Sequence, residues 1–289
     1  MAAANEPVSG RHLSCRYSSQ SVYGTAVTPA TSPGLVTFDM TTDSGMTSIY
    51  NIGSEAAKFL KPGVAVVNYS VNVTAVQTLA VLNLGKRTTG ALPWLTWEFG
   101  MNFDSGTDYG FQVQDCKVQS MDINLEAGGL LQATLSGAGG LITDLATIAM
   151  AHLTETPMHA YEAVLTRGGA ADEAIGFRFN VDHSVEVTSV IAGTAPSTFK
   201  RGWKYQTEGN EVITGEVTRL KRCTLDLQAT TIADFSLVLT CTDIVGGMTP
   251  NTITLTATGA KFGSERFAGT VDGLATFTTP FIAKAFTIA

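Results

Sequence analysis

Leu95-Thr-Trp97-Glu-Phe99-Gly-Met101-Asn-Phe103 is the stretch that decides the fold class. Its large apolar side chains take the odd positions, and Thr96, Glu98, Gly100 and Asn102 lie between them. A period of two puts one set on each face of a strand, whereas a helix needs apolar residues every three or four positions. Asp104-Ser-Gly-Thr-Asp108 follows, composed of residues that favour turns. The chain then returns as a second strand. Its apolar positions are odd at Phe111 and Val113, even at Cys116 and Val118, and odd again at Met121, Ile123 and Leu125. Each change of parity would send the apolar set to the wrong face unless a residue bulges out. The pattern therefore predicts two bulges and a curled sheet. Trp94 and Trp97 fall on opposite faces, which suits one to the core and the other to an interface.

The same alternation extends outward. Val67, Tyr69, Val71 and Val73 form a half-buried strand, and Gln77–Arg87 leaves room for a short helix. Gly128-Gly129 reads as a turn, with Leu131, Ala133 and Leu135 on the strand after it. Gly137-Ala-Gly-Gly140 reads as a loop leading into a helix over Leu141–Leu153, with Asp144 early enough to suit the helix dipole. A strand is expected at His159–Thr166, a Gly-rich turn at Arg167–Glu173, and one long strand through Phe177, Phe179, Val181, His183, Val185 and Val187. Further strands fall at Leu225–Leu227, Phe235–Leu239 and Ile253–Ala257, and the chain ends extended through Phe277, Phe281, Ile282 and Phe286. Residues 1–45, rich in Ser, Thr, Gly and Pro, read as an irregular arm.

An internal match accompanies this periodicity. Tyr69-Ser-Val-Asn-Val-Thr-Ala-Val76 aligns with His183-Ser-Val-Glu-Val-Thr-Ser-Val190, and the even offset preserves the core face. Met121–Leu125 then matches Cys223–Leu227, and Leu131–Ser136 matches Phe235–Thr240, in the same order. The reading is two tandem β domains, 46–158 and 159–289, with 1–45 as an N-terminal arm belonging to the first.

Composition narrows the function classes. Of the 289 residues, 44% are hydrophobic and only 15% charged, against about a quarter charged in ordinary domains. A chain so sparing of charge hides surface in contacts with other chains. The net charge is −7, and the densest basic stretch is Lys200, Arg201 and Lys204, with Lys221 and Arg222 beyond it. That argues against an outer surface built to grip phosphates. Met1–Val8 lacks the basic and apolar regions of a signal peptide, and no apolar run is long enough for a membrane helix. Cys15, Cys116, Cys223 and Cys241 show no paired spacing, so free, mostly buried thiols are expected.

Tyr17-Ser-Ser-Gln-Ser-Val-Tyr23-Gly24-Thr25-Ala26 resembles the N-terminal arm of siphophage major tail tube proteins, although Gln20 stands where the family often carries Glu. The hairpin Val118–Ser136, with its Gly-Gly turn and small-residue return strand, is similar to the family's hairpin; the second half has Thr230-Thr-Ile-Ala233 instead of the glycines. The resemblance implies a mainly β fold of two tandem β-sandwich or barrel domains, with one short helix each or fewer. It implies a non-enzymatic virion protein, made in the host bacterial cytoplasm. Copies would assemble into rings, trimeric for a two-domain member, stacked as a hollow tube. The partners implied are further copies, the tape-measure, tail terminator and distal tail proteins, and double-stranded DNA that passes through without specific binding. It also assigns Tyr17, Tyr23, Gly24 and Thr25 to an inter-subunit arm, and Asp122, Asn124, Glu126, Gly128 and Gly129 to an assembly hairpin.

No cofactor, metal or membrane is expected. Leu84-Gly-Lys-Arg-Thr88 lacks the upstream glycine of a phosphate loop, having Ala80 there, and Gly137-Ala-Gly-Gly-Leu-Ile142 holds only half of a dinucleotide fingerprint. His152 and His159 are separated by Pro157, and His183 sits at core parity, which suits a hydrogen-bonded packing role better than metal ligation. Asp104 and Asp108 lack the spaced ligands of a calcium loop, and no Ser or Cys lies in a nucleophile context. The rival readings are another virion ring or capsid decoration protein, a secreted β-sandwich binding module, and an outer-membrane barrel.

Overall fold

The computed structural model describes residues 13–43, 47–49, 59–61, 66–101, 109–148, 156–188, 205–220, 235–242, 252–269 and 275–289. The fold is mainly β. The first strands are β1 (Leu13–Gln20), β2 (Leu35–Asp43), β3 (Thr47–Ile49), β4 (Phe59–Lys61) and β5 (Val66–Ala75). A one-turn helix, α1 (Leu79–Leu82), and a 3₁₀ turn (Asn83–Gly85) follow, as Gln77–Arg87 suggested. Next come β6 (Trp94–Met101), β7 (Tyr109–Glu126), β8 (Gln132–Gly139) and β9 (Leu141–Leu145). After a 3₁₀ turn at Ala160–Glu162 come β10 (Ala163–Arg167), β11 (Ala170–Ala171), β12 (Gly176–Asp182), β13 (Val185–Thr188), β14 (Tyr205–Glu208) and β15 (Val212–Arg219). The last are β16 (Phe235–Thr242), β17 (Thr252–Phe262), β18 (Arg266–Ala268), β19 (Thr276–Ala283) and β20 (Ala285–Ile288).

One long antiparallel layer organises the molecule. Its order is β2-β5-β8-β7-β12-β15-β19; beyond β19 lie β18 and the end of β17, whose own ladder continues into β16 through Phe235–Ala260. The layer runs unbroken between the two halves of the chain through the β7–β12 ladder, where Phe179 opposes Ile123 and Asn180 opposes Asp122. Its apolar face is covered twice. β1, β6, the start of β7 and β9 cover one part, and β10, β16, the start of β17 and β20 cover the other. Aromatic side chains join the layers: Trp97 lies 5.8 Å from Tyr69, Phe99 lies 4.7 Å from Phe38, and Phe286 lies 4.2 Å from Phe179. Most of the buried apolar residues form one contiguous cluster. Each large side chain removed from water there contributes about 1.5–3 kcal/mol.

β7 belongs to both layers, and its two parity changes are where it bends. Thr96 of β6 lies between register pairs Leu95–Cys116 and Trp97–Val113, so β7 carries an extra residue at Gln114-Asp115. Asp115 takes the left-handed conformation, φ 58°. The second bulge is Gln119, the extra residue between pairs Val118–Gly137 and Ser120–Ser136. Both bulges predicted from the alternation are present. Two glycines of β8 permit the crossing: a Cβ on Gly137 would lie 2.0 Å from the Lys117 carbonyl oxygen, and one on Gly139 would lie 2.5 Å from Cys116 Sγ.

Several local expectations are corrected. Residues 13–20 and 35–43, read as part of an irregular arm, are strands β1 and β2, laddered onto β6 and β5; Ser and Thr in them face outward or hydrogen-bond, which masked the pattern. The helix expected from Leu141 starts instead as β9, because the uncovered edge of β7 offers Gly110–Gln114 a partner ladder, and 149–153 lie outside the described residues. Gly137 and Gly139 belong to β8 rather than a loop, since close packing and not flexibility requires them. His159 does not begin a strand: its Nδ1 accepts from Tyr161 N at 3.3 Å and its own N–H donates to Glu162 Oε2 at 3.0 Å, capping the 3₁₀ turn before β10. The long strand through Val187 breaks at Ser184, φ 48°, so β12 stays in the layer and β13 leaves to pair β14. The Tyr69 and His183 segments therefore take different places: β5 lies between β2 and β8, whereas β13 is in a separate pair. The Asp104–Asp108 turn, His152 and Cys223–Leu227 lie outside the described residues.

Candidate assembly surfaces

The long layer shows a polar outer face. In an antiparallel ladder, residues opposite one another point to the same side. One row reads Thr37, Asn72, Thr134, Asp122, Asn180, Thr214 across six neighbouring strands. The next reads Asp39, Ser70, Ser136, Ser120, Asp182. A third holds Gln132, Asn124, Arg178 and Glu216, and a fourth Glu126, Gly176 and Thr218. From β2 to β15 the carboxylates Asp39, Asp122, Glu126, Asp182 and Glu216 face outward with the guanidinium of Arg178. Arg178 forks onto Asp122, with Nη2 2.7 Å and Nε 3.0 Å from Oδ2. An exposed pair of this kind contributes about 0–1 kcal/mol, so the face is organised by strand register rather than by its ion pair. The large apolar exceptions from β15 onward are Val212, opposite Asp182 and 47% exposed, and Ile282 of β19, 65% exposed.

The hairpin residues read from sequence fall together here. Asp122, Asn124 and Glu126 line a shallow depression with Gln132, Thr134, Arg178 and Glu216. Gly128 and Gly129 form the turn at its end: Gly128 has φ 78°, and Gly129 N–H donates to the Glu126 carbonyl at 2.9 Å. Sequence reasoning missed Arg178, Asn180 and Glu216 as members of this surface. The signal was available for β12, whose Arg178, Asn180 and Asp182 alternate with Phe177, Phe179 and Val181.

The arm residues separate. Tyr17 is 5% exposed, with its ring 5.4 Å from Trp97, and belongs to the core. Tyr23, Gly24 and Thr25 form an outlying turn held to the first β7 bulge. Asp115 Oδ1 accepts from Gly24 N at 2.7 Å and Gln20 Nε2 at 3.3 Å, while Gln20 Oε1 accepts from Asp115 N at 2.9 Å. Gln20 Nε2 also donates to the Thr25 carbonyl at 2.8 Å. An amide is the side chain that can donate to this carboxyl and accept from its backbone at once, which accounts for Gln20 in place of Glu. Burial pushes the Asp115 carboxyl above its ordinary range, against the hydrogen bonds from Gly24 and Gln20. Tyr23, 5.2 Å from the Trp94 ring, is pushed up to about 12 by burial and by Asp115.

A second buried polar cluster pins β14 to the body. Glu208 accepts from Lys117 Nζ and from Leu92 N at 3.0 Å, and Lys117 Nζ also lies 4.2 Å over the Trp94 ring. His183 is fully buried; its Nε2 donates to the Gly85 carbonyl at 2.8 Å and its Nδ1 faces Glu211 at 3.5 Å. That is the hydrogen-bonded packing role read from its parity. Cys15, Cys116 and Cys241 are free and buried. Among the described residues no three His, Cys, Asp or Glu side chains converge as metal ligands, and no helix is long and apolar enough to cross a membrane. No protein-family model matches the chain, and no curated protein matches it either.

Proposed function

We propose that this chain is a structural virion subunit, the major tube protein of a long-tailed bacteriophage, whose copies stack as rings around a hollow conduit for the genome. The observation that carries the reading is the continuous polar, acid-rich face of the long layer. On this wall of Thr, Asn and Ser the carboxylates outnumber the cations Arg178, Lys261 and Arg266, Arg178 is forked onto Asp122, and the excess negative charge repels DNA phosphates. The apolar opposite face is already covered within the chain, so the polar face is free to line water.

The dimensions are suitable. The layer counts eight strands, taking the end of β17 together with β18 as one. Three copies would give three times eight, or 24, strands. At about 4.8 Å between strands and a tilt of about 40°, a closed sheet of that size is about 50 Å across between backbones. Such a bore leaves room for a duplex with its hydration, and before ejection for an extended tape-measure protein. Terminator and distal tail proteins would complete the two ends.

The test is negative-stain electron microscopy of the purified chain over a concentration series, with its mass in solution. Tubes or stacked rings of uniform bore, three subunits to a ring, are expected. Compact monomers at every concentration, also with purified tails added, would favour a decoration protein or binding module.

A further inference from the structure

Among the described residues β13 and β14 ladder only with each other, so side chains hold the pair to the body. Gln206 Nε2 donates to the Ala138 carbonyl at 3.0 Å, Glu208 takes Lys117 and the Leu92 N–H, and Arg87 donates to the Gly209 carbonyl. His183 stands at the root of the pair, where β12 ends and the chain turns through Ser184. Its N–H donates to the carbonyl of the bulge residue Gln119 at 2.8 Å, and its carbonyl accepts from Gly209 N at 3.1 Å. The buried ring lies between two acceptors. Nε2 is 2.8 Å from the Gly85 carbonyl, which can only accept, so Nε2 carries a proton. Nδ1 faces Glu211 Oε2 at 3.5 Å and has no hydrogen-bond partner among the described residues.

The geometry points to His183 as a proton-operated clasp: with protons on both nitrogens the ring ties the β13–β14 hairpin and the Glu211 connection to the 3₁₀ turn at Gly85, and without the second proton the hairpin loosens. A neutral ring sets a bare, buried lone pair against a carboxylate, which burial makes costly. A proton on Nδ1 gives each acceptor a donor and pairs the new charge with Glu211. Charged groups on the surrounding elements have partners of their own. Asp182 of β12 accepts from Ser184 N at 2.7 Å, Lys86 Nζ donates to the Ile288 carbonyl at 3.2 Å, Arg87 holds Gly209, Glu208 holds Lys117 of β7, and Glu186 of β13 is exposed. Among the described residues Glu211 is the carboxylate within 4 Å of the ring nitrogens. Docking of the hairpin thus takes up a proton, so it strengthens as pH falls and weakens as pH rises. The clasp operates within one chain, whatever the chain assembles into.

Amide hydrogen exchange read by mass spectrometry at pH 5.5 and pH 8, corrected for the intrinsic rate at each pH, tests it on the whole chain. Protection of Val185–Thr188 and Tyr205–Glu208, relative to the β7–β12 ladder, is expected to fall by about tenfold from pH 5.5 to pH 8. Glu211→Gln keeps the shape and lets an amide N–H donate to the bare Nδ1 of the neutral ring. In that variant the hairpin should stay as protected at pH 8 as the unaltered protein is at pH 5.5. Equal relative protection of the unaltered hairpin at the two pH values would overturn the clasp, and that comparison needs no variant. A fall that Glu211→Gln reproduces in full would overturn it too, because the proton would then act elsewhere than at the His183–Glu211 contact.

Discussion

At the scale of single residues, Asp115 concentrates the most consequence. It supplies the left-handed step of the first β7 bulge and the acceptor that holds Gly24, while its carboxyl is buried beside neutral partners. Asn tolerates the left-handed conformation and keeps an acceptor for Gly24. Folding favours the proton on Asp115, because burial raises its pKa. Its contribution to stability is therefore complete below the usual carboxylate range and is lost as pH rises through the raised value. Asp115→Asn is expected to raise the midpoint of thermal unfolding at pH 8, with the gain shrinking towards pH 4. Circular dichroism melts at the two pH values check it, and a loss of stability at pH 8 would show that the carboxylate is well accommodated.

At the scale of elements, β7 is the piece on which the two layers turn. Removing Gln119 would erase the second bulge and move Met121, Ile123 and Leu125 to the polar side, with Asp122 and Asn124 sent into the core. Deletion of Gln119 is thus expected to abolish cooperative unfolding, while Gln119→Ala, which keeps the residue count, changes stability by less than about 1 kcal/mol; similar melts for both would contradict the bulge's role. β7 was also the most legible element, since a parity change in an alternating sequence has one geometric remedy. β9 was not legible: Leu141-Ile-Thr-Asp-Leu145 is compatible with either structure, and the edge of β7 chose for it. β1 and β2 were hidden by Ser and Thr, and the break at Ser184 by unbroken alternation on either side. The hairpin part of the candidate surface could be read locally. Its completion by β12 and β15 could not, because the β7–β12 pairs join residues 50 to 62 positions apart and the β12–β15 pairs residues 30 to 42 apart.

At the scale of the whole molecule, the layer does two jobs. Its apolar face makes the core common to both halves of the chain, and its polar face continues across the β7–β12 ladder from one half to the other. Low overall charge is consistent with a subunit whose surface is covered in part by neighbouring copies. The central claim is that the Asp122–Arg178 face lines a bore. Electron cryomicroscopy of assembled particles, refined far enough to trace strands, tests it most directly. The account predicts a closed inner wall of antiparallel strands, eight from each copy, with Asp122, Arg178 and Glu216 pointing inward. Particles whose inner wall is built from other strands, or in which that face lies outside or against another copy, would contradict it.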